Sequence, residues 1–408
     1  MRSEDTFYYF SETPDYFVIS GKVKLGYPLI ALFVPRINRL LAWEECRRFR
    51  AVLKALREIA DINTDNTLPA TKIMPLAIMG HPNFAHHLWN ELSALETLIN
   101  KNPSLAPEIV TVREPLGPIA RIFPDIGKWN VQRAPKRTSG NDPGKPYVQL
   151  GGFRVSTSLK TRIVRHANAF ATADTQALAN RLSQWAAPIF WLSVRTQVPT
   201  FEKQRDVLVS LALKLRREHP DCAILFDGFS LPRDWKTSDH KMKTFYESAA
   251  EESKAEIDAT ISELLRLDPA NSSLFNLGGL GLLDSITLAQ LAHMYFCHKG
   301  TIQHKIGWTA NVPGIIHGPR WFLTAETEEW YTSRAESSVR PLALDPSLIV
   351  DTSEQKQSNY RAIDCELYDS GISRIASRYL SLAFTVGIAL FVATFAMSTL
   401  VLSPMFLT

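Results

Sequence analysis

Short apolar runs alternate with longer stretches whose apolar residues recur at helical spacing, and the two patterns take turns along most of the chain. The second half is the more regular. "APIFWLSVRT", "CAILFDG", "SSLFNLGG", "YFCHKG" and "PGIIHG" are nearly unbroken apolar runs that end in polar or glycine residues. A strand buried on both faces has this look, because neither face is left for polar side chains. Between these runs lie "TFEKQRDVLVSLALKLRREHP", "MKTFYESAAEESKAEIDATISELLRLD", "LLDSITLAQLAHM" and "TIQHKIGWTAN", each with apolar positions on one helical stripe. About five strand–helix alternations predict a doubly wound parallel sheet. The first half carries the strand-like runs "YFVIS", "YPLIALFVP", "TKIMPLAIMG" and "EIVTVRE", with the amphipathic "WEECRRFRAVLKALREIAD" among them. The same logic predicts a second parallel sheet covered by helices.

The polar, Pro- and Gly-containing stretch "RAPKRTSGNDPGK" reads as an exposed loop, and from Ser337 onward the chain turns mostly polar. The expected organisation is an α/β domain over residues 1–170, a second over 171–335, a polar return segment over 336–373 and a C-terminal span over 374–408. From Tyr379 to Thr408 there is no charged side chain, and the apolar part matches the ~20 residues that cross a hydrocarbon core. Arg374 and Arg378 precede it and nothing basic follows, which predicts a single-pass anchor with the globular part on the cytoplasmic side. At 408 residues with 45% hydrophobic and 21% charged residues, the chain is globular. A net charge of +4, without basic runs interleaved with aromatics, argues against nucleic acid as a partner. Cys46, Cys222, Cys297 and Cys365 form no CxxC pair, which argues against a structural zinc site and a disulfide framework.

Two segments carry candidate chemistry: "IMGHPNFAHHLWNELSALETLI" and "MYFCHKGTIQHKIGWTANVPGIIHGP". Each reads as strand, polar His/Gly loop, then helix, a unit that turns backbone N–H groups toward an anion at the sheet's C-terminal edge. In the second segment His298, Lys299, Gly300 and Thr301 fall at the strand end and helix start. Gly300 permits close backbone approach, Thr301 can cap the helix, and Gln303, His304 and Lys305 follow. Arg195 and Asp227 close two other strands and are candidates for a phosphate and a sugar or ribose hydroxyl, against plain alternatives of a surface ion pair or an Asp-Gly turn. In the first segment His86 pairs by spacing with Asn90, and His87 with Glu91. A His or a desolvated Glu suits a general base, and His81 is a further candidate. A metal site from His81, His86 and His87 is the weaker alternative. Trp89 and Trp308 read as core aromatics.

The second segment resembles the C-terminal signature of GT-B glycosyltransferases such as heptosyltransferases, where a Gly/Ser/Thr-rich loop and helix precede "G-x-P" and a hydrophobic strand. Gly307, Pro313, Gly314 and Ile315–His317 occupy comparable places. The first is similar to the "N-x-x-H-(H/W)-x-x-(D/N)" motif of capsular polysaccharide-type transferases and plant xylosyltransferases, standing here as Asn83-Phe84-Ala85-His86-His87-Leu88-Trp89-Asn90-Glu91. The resemblance implies two Rossmann-like domains facing a cleft. It also implies a nucleotide-diphosphate sugar held by Arg195, Asp227, His298, Lys299, Gly300, Thr301, Gln303, His304 and Lys305, and an acceptor side at His81, Asn83 and Asn90. The base would be His86, His87 or Glu91, since Asn90 cannot serve. No cofactor or metal is required, and the expected C-terminal anchor, not the resemblance, points to a glycan or lipid-linked acceptor. The competing expectations are a membrane-anchored binding or assembly protein that keeps the fold without the chemistry, and a His-based metal-dependent hydrolase.

Overall fold

The structure, a computed structural model, describes the strands within residues 2–42 and 76–79. Beyond them it describes residues 80–101, 108–126, 131–133, 147–148, 154–197, 200–270, 272–323, 334–336, 339–352 and 359–362. The chain divides into two compact units. The first is Met1–His166 with Pro232–Ser238 and Ser333–Glu336; the second is Ala167–Leu231, Asp239–Thr332 and Ser337–Thr408.

The first unit begins with β1 (Arg2–Ser3), β2 (Thr6–Phe10), β3 (Phe17–Gly21), β4 (Leu29–Val34) and β5 (Arg39–Ala42). They form an antiparallel meander in the order 1-2-3-4-5. This corrects the expectation that "YFVIS" and "YPLIALFVP" join a parallel sheet. The seven residues from Lys22 to Pro28 are too few for a parallel crossover, which needs about a dozen or more. The helix expected in "WEECRRFRAVLKALREIAD" lies outside the described residues. A second sheet follows, built from β6 (Leu76–Met79), β7 (Glu108–Thr111), β8 (Val131–Arg133) and β9 (Tyr147–Val148). All its pairings are parallel, in the order β8-β7-β6-β9. Two strands to one side of the first and a fourth on the other is the start of a doubly wound sheet, and its switch point lies between β6 and β9.

The second unit is built on β10 (Ile189–Ser193), β11 (Ala223–Asp227), β12 (Leu274–Asn276), β13 (Met294–His298), β14 (Gly314–His317) and β15 (Leu342–Ala343). Every pairing is parallel and the order is β12-β11-β10-β13-β14-β15. This is the 3-2-1-4-5-6 arrangement of a complete dinucleotide-type fold, with its switch point between β10 and β13. Alternate residues explain the unbroken apolar runs. Phe190, Leu192, Ile224, Phe226 and Phe296 enter one core cluster; Trp191, Leu225, Tyr295 and Cys297 enter the other. Helices Gln204–Glu218 and His240–Leu267 cover the first face through Val207, Leu211, Leu215, Ile257 and Leu264. On the second face Leu182, Leu288 and Ile306 do the same from three further helices.

The segment beyond Ser337, expected to be a polar return, instead supplies β15 to this sheet. It also forms an antiparallel pair, β16 (Ile349–Asp351) with β17 (Tyr360–Ala362), whose Ile349 and Tyr360 are fully buried. The anchor expected over 374–408 lies outside the described residues, and among those described no helix is long and apolar enough to cross a membrane.

The Tyr295 ring lies flat on Gly314, where an added Cβ would stand 2.3 Å from three ring atoms. Both residues are buried. Gly314→Ala is therefore expected to cost about 1–3 kcal/mol by overpacking, read as a lower urea midpoint with an unchanged slope. An unshifted midpoint would mean that the β13–β14 contact yields freely.

Candidate functional site

In the first unit the chain leaves β6 through Gly80, whose φ of +151° and close approach to Val112 and Arg113 suit no other residue. Asn83 then caps the helix, its Oδ1 accepting from the Ala85 N–H at 2.9 Å. The helix is regular over Phe84–His86, opens into a π turn at His87–Leu92 and returns to α over Ser93–Lys101. Such a turn shifts side chains out of the ordinary helical register and recurs at functional sites.

The spacing-predicted pairs both form. His87 Nδ1 lies 2.6 Å from Glu91 Oε2, with His87 fully buried and Glu91 nearly so. The Glu91 carboxylate also accepts the backbone N–H groups of Gly80 and His81 at 3.0–3.2 Å. Glu91, a candidate base, is thus engaged as the anchor of the loop and of the imidazole. A carboxylate facing Nδ1 places the proton there, so Nε2 of His87 carries the lone pair. That atom is buried and, among the described residues, has no hydrogen-bond partner.

His86 differs. Its Nδ1 accepts from Trp89 Nε1 at 3.1 Å and lies 3.3 Å from Asn90 Nδ2. Its proton therefore sits on Nε2 and it presents a donor. Burial, then the His81 ring 4.6 Å away, lowers its pKa to about 4. His81 Nδ1 accepts the Asn83 N–H at 3.1 Å. These six polar residues all gather at the C-terminal end of β6, beside that sheet's switch point.

In the second unit the C-terminal edge separates the expected ligand-binding residues into two sets. The first is internal. Lys305 Nζ pairs with Asp227 at 2.6 and 2.8 Å and donates to the Gly228 carbonyl and Ser230 Oγ. Asp227 also accepts from Ser285 and is fully buried, and burial raises its carboxyl pKa against the pull of Lys305 and Ser285. Neither reaches outward. Gln303 bonds to the Tyr295 hydroxyl, and His304 to Gln303 Oε1 while stacking on Trp308 at 3.7 Å. Gln303, His304 and Lys305 are thus all buried on the short helix Thr301–Gly307.

The second set forms a crest at the switch point. Arg195 follows β10 and is only partly buried; its Nη1 donates to the Lys299 carbonyl at 3.2 Å and its Nε to the Gln197 carbonyl at 2.9 Å. Gln204 brackets its backbone from both sides. Lys299 and Gly300 follow β13, and Gly300 occupies the N-cap position expected of Thr301, with a φ of +102° that only glycine takes easily. A Cβ on Gly300 would meet Arg195 Nη1 at 3.6 Å, so bare backbone faces the guanidinium. Burial and the Arg195 charge lower the Lys299 pKa to about 8.

Beneath the crest His298 Nδ1 lies 2.8 Å from the Lys299 carbonyl and His317 Nδ1 lies 2.7 Å from the Tyr360 hydroxyl, and both rings are buried. Sequence reasoning missed Gln204, Tyr360 and Trp321, which carried no signal, and placed His317 only at the end of the hydrophobic strand, without a role in the site.

Burial lowers the His317 pKa to about 3, helped by Arg195, and that of His298 in the same direction. An unfolded histidine takes up its proton near pH 6.5. Below that pH the unfolded chain binds protons that the folded one refuses. Stability is therefore intact above about pH 6.5 and drains as pH falls toward the folded value. His317→Phe, placed against Phe296 and Phe201, is expected to shrink the drop in urea midpoint between about pH 7 and pH 4.5. An equal drop in wild type and variant would place the acid sensitivity elsewhere.

The second unit is a doubly wound α/β domain with a cationic crest at its switch point, and the first carries a parallel sheet of the same opening order. No family model matches the sequence and no curated protein matches it. Among solved structures the chain is similar to the ADP-heptose LPS heptosyltransferase II of E. coli, with 9% identity, 76% of this chain and 99% of that one covered, and a TM-score of 0.41. It is similar to a family 9 glycosyl transferase of Veillonella parvula, with 10% identity, 76% and 97% covered, and a TM-score of 0.41. A third likeness is the fucosyltransferase NodZ of Bradyrhizobium, with 10% identity, 58% and 93% covered, and a TM-score of 0.33.

Proposed function

We propose that this protein transfers a sugar from a nucleotide-diphosphate donor. The observation that carries the reading is the crest of the second unit. Two cationic side chains, Arg195 and Lys299, stand with the bare backbone of Gly300 at the switch point of a 3-2-1-4-5-6 parallel sheet. That is where such sheets bind nucleotides, and charge developing on a departing diphosphate needs fixed positive groups. Asp227 and Lys305, expected as donor-binding residues, are buried against each other, and the reading does not rest on them.

The first unit supports the other half of the chemistry. His87, oriented by Glu91 through Nδ1, has the lone pair on Nε2 that abstraction of a hydroxyl proton requires. His86, with its proton on Nε2, would donate a hydrogen bond to the acceptor. A glycan or lipid-linked acceptor at a membrane rests on the apolar C-terminal stretch alone.

The test is calorimetric titration of the full chain with nucleoside diphosphates, the matching monophosphates and inorganic pyrophosphate. Diphosphates are expected to bind in competition with pyrophosphate, and Lys299→Met to weaken them about tenfold, as removal of a charged hydrogen bond does. Failure of every diphosphate to bind overturns the reading. Tight donor binding without release of the nucleotide, even with acceptors added, would favour the binding-protein alternative, which the burial of His87 Nε2 also favours.

A further inference from the structure

Lys299 is held on the crest from several sides. Its backbone N–H donates to the His317 carbonyl at 2.8 Å. Its stem runs across Gly318, where an added Cβ would stand 3.1 Å from Cδ and 3.2 Å from Cγ. Beyond Gly318 the chain turns through Arg320–Phe322, and the Lys299 ammonium ends over the two rings of that turn. It lies 3.9 Å from the Trp321 centroid and 4.3 Å from that of Phe322. The turn is tied down in its own right, because the Arg320 N–H donates to Asp351 Oδ1 at 2.8 Å at the end of β16. Trp321 is 45% exposed, so core packing gives it little reason to be an indole.

We infer that Trp321 and Phe322 are positioning residues for Lys299, holding its ammonium near Arg195 so that the crest offers two fixed cations to adjacent phosphates. The inference rests on the donor-site reading above. Arg195 and Lys299 repel each other when no anion is present: burial first and then the Arg195 charge lower the Lys299 pKa, while the Asp351 carboxylate raises it. A free ammonium would swing away into water. The negative faces of two aromatic rings offset that repulsion without neutralising the charge, and the Asp351 carboxylate, engaged by the Arg320 N–H, acts in the same direction. The ligand class is therefore a pyrophosphate group rather than an isolated monoanion.

The experiment is calorimetric titration of inorganic pyrophosphate into the full chain. The variants are Trp321→Leu, Trp321→Phe, Lys299→Met and the Lys299→Met/Trp321→Leu pair. Trp321→Leu is expected to weaken binding about three- to tenfold and Trp321→Phe to recover most of the loss, following the strength of the ring face. In the Lys299→Met background Trp321→Leu should add nothing, because the interaction it removes is already gone. Equal losses in both backgrounds, or undiminished binding in Trp321→Leu, would deny Trp321 a positioning role and overturn the inference alone. Wild-type protein that binds no pyrophosphate overturns the donor reading and this inference together.

Discussion

His87→Asn is expected to lower turnover of a nucleotide-sugar donor by about 10²–10⁴-fold, the usual contribution of a positioned general base, with donor affinity nearly unchanged. The substitution is chosen for its geometry. An asparagine amide can take the place of Nδ1–H opposite Glu91, which lies 2.6 Å from the imidazole, so the anchor of the Gly80–His81 loop is kept. It has nothing equivalent to Nε2, the buried ring nitrogen that has no partner among the described residues. Glu91→Gln makes the complementary case, because it keeps the size but loses the negative charge that orients the ring. Turnover and donor affinity should be measured separately for both. Undiminished turnover in His87→Asn would make the dyad a loop anchor, and the proton would have to leave by another route.

Lys305→Met is expected to lower stability by about 3–5 kcal/mol, the cost of leaving a buried charge without its partner. The residue is 3% exposed, and its ammonium meets the Asp227 carboxylate, the Gly228 carbonyl and the Ser230 hydroxyl. Its removal leaves Asp227 with only the Ser285 hydroxyl and the Gly228 backbone N–H among the described residues. The loss follows from the missing partner, so Asp227→Asn combined with Lys305→Met should restore part of it. Urea unfolding of the two single variants and the pair checks this. A double variant as unstable as the sum of the singles would show that the two groups act independently, against the distances between them.

The strands and helices of the second unit could be read in the chain because each has its own local cause. Apolar runs buried on both faces leave no alternation, and helices Gln204–Glu218 and His240–Leu267 carry their stripe in sequence. The first forty-odd residues show the limit of that reading. Their apolar runs look the same whether strands pair parallel or antiparallel, and only the short connections between them pointed to the meander that formed.

At the site, spacing found His86–Asn90 and His87–Glu91, since a helix fixes which residues meet four positions apart. It could not tell which nitrogen each imidazole leaves free. That depends on Gly80, His81 and Trp89, brought there by a strand end and a π turn.

By itself the sequence determined the alternation of strands and helices, the polar residues at the strand ends, and the glycines where backbone must come close. Tertiary structure alone decided which charges face inward and which remain on the crest. Lys299 and Lys305 are six residues apart in the same segment, yet one lies on aromatic rings at the edge and the other is buried against Asp227. A helix that packs on a sheet directs side chains by their angle about its axis. Which angle meets a carboxylate is set by the strand order, here through Asp227 at the end of β11, one strand removed from β13.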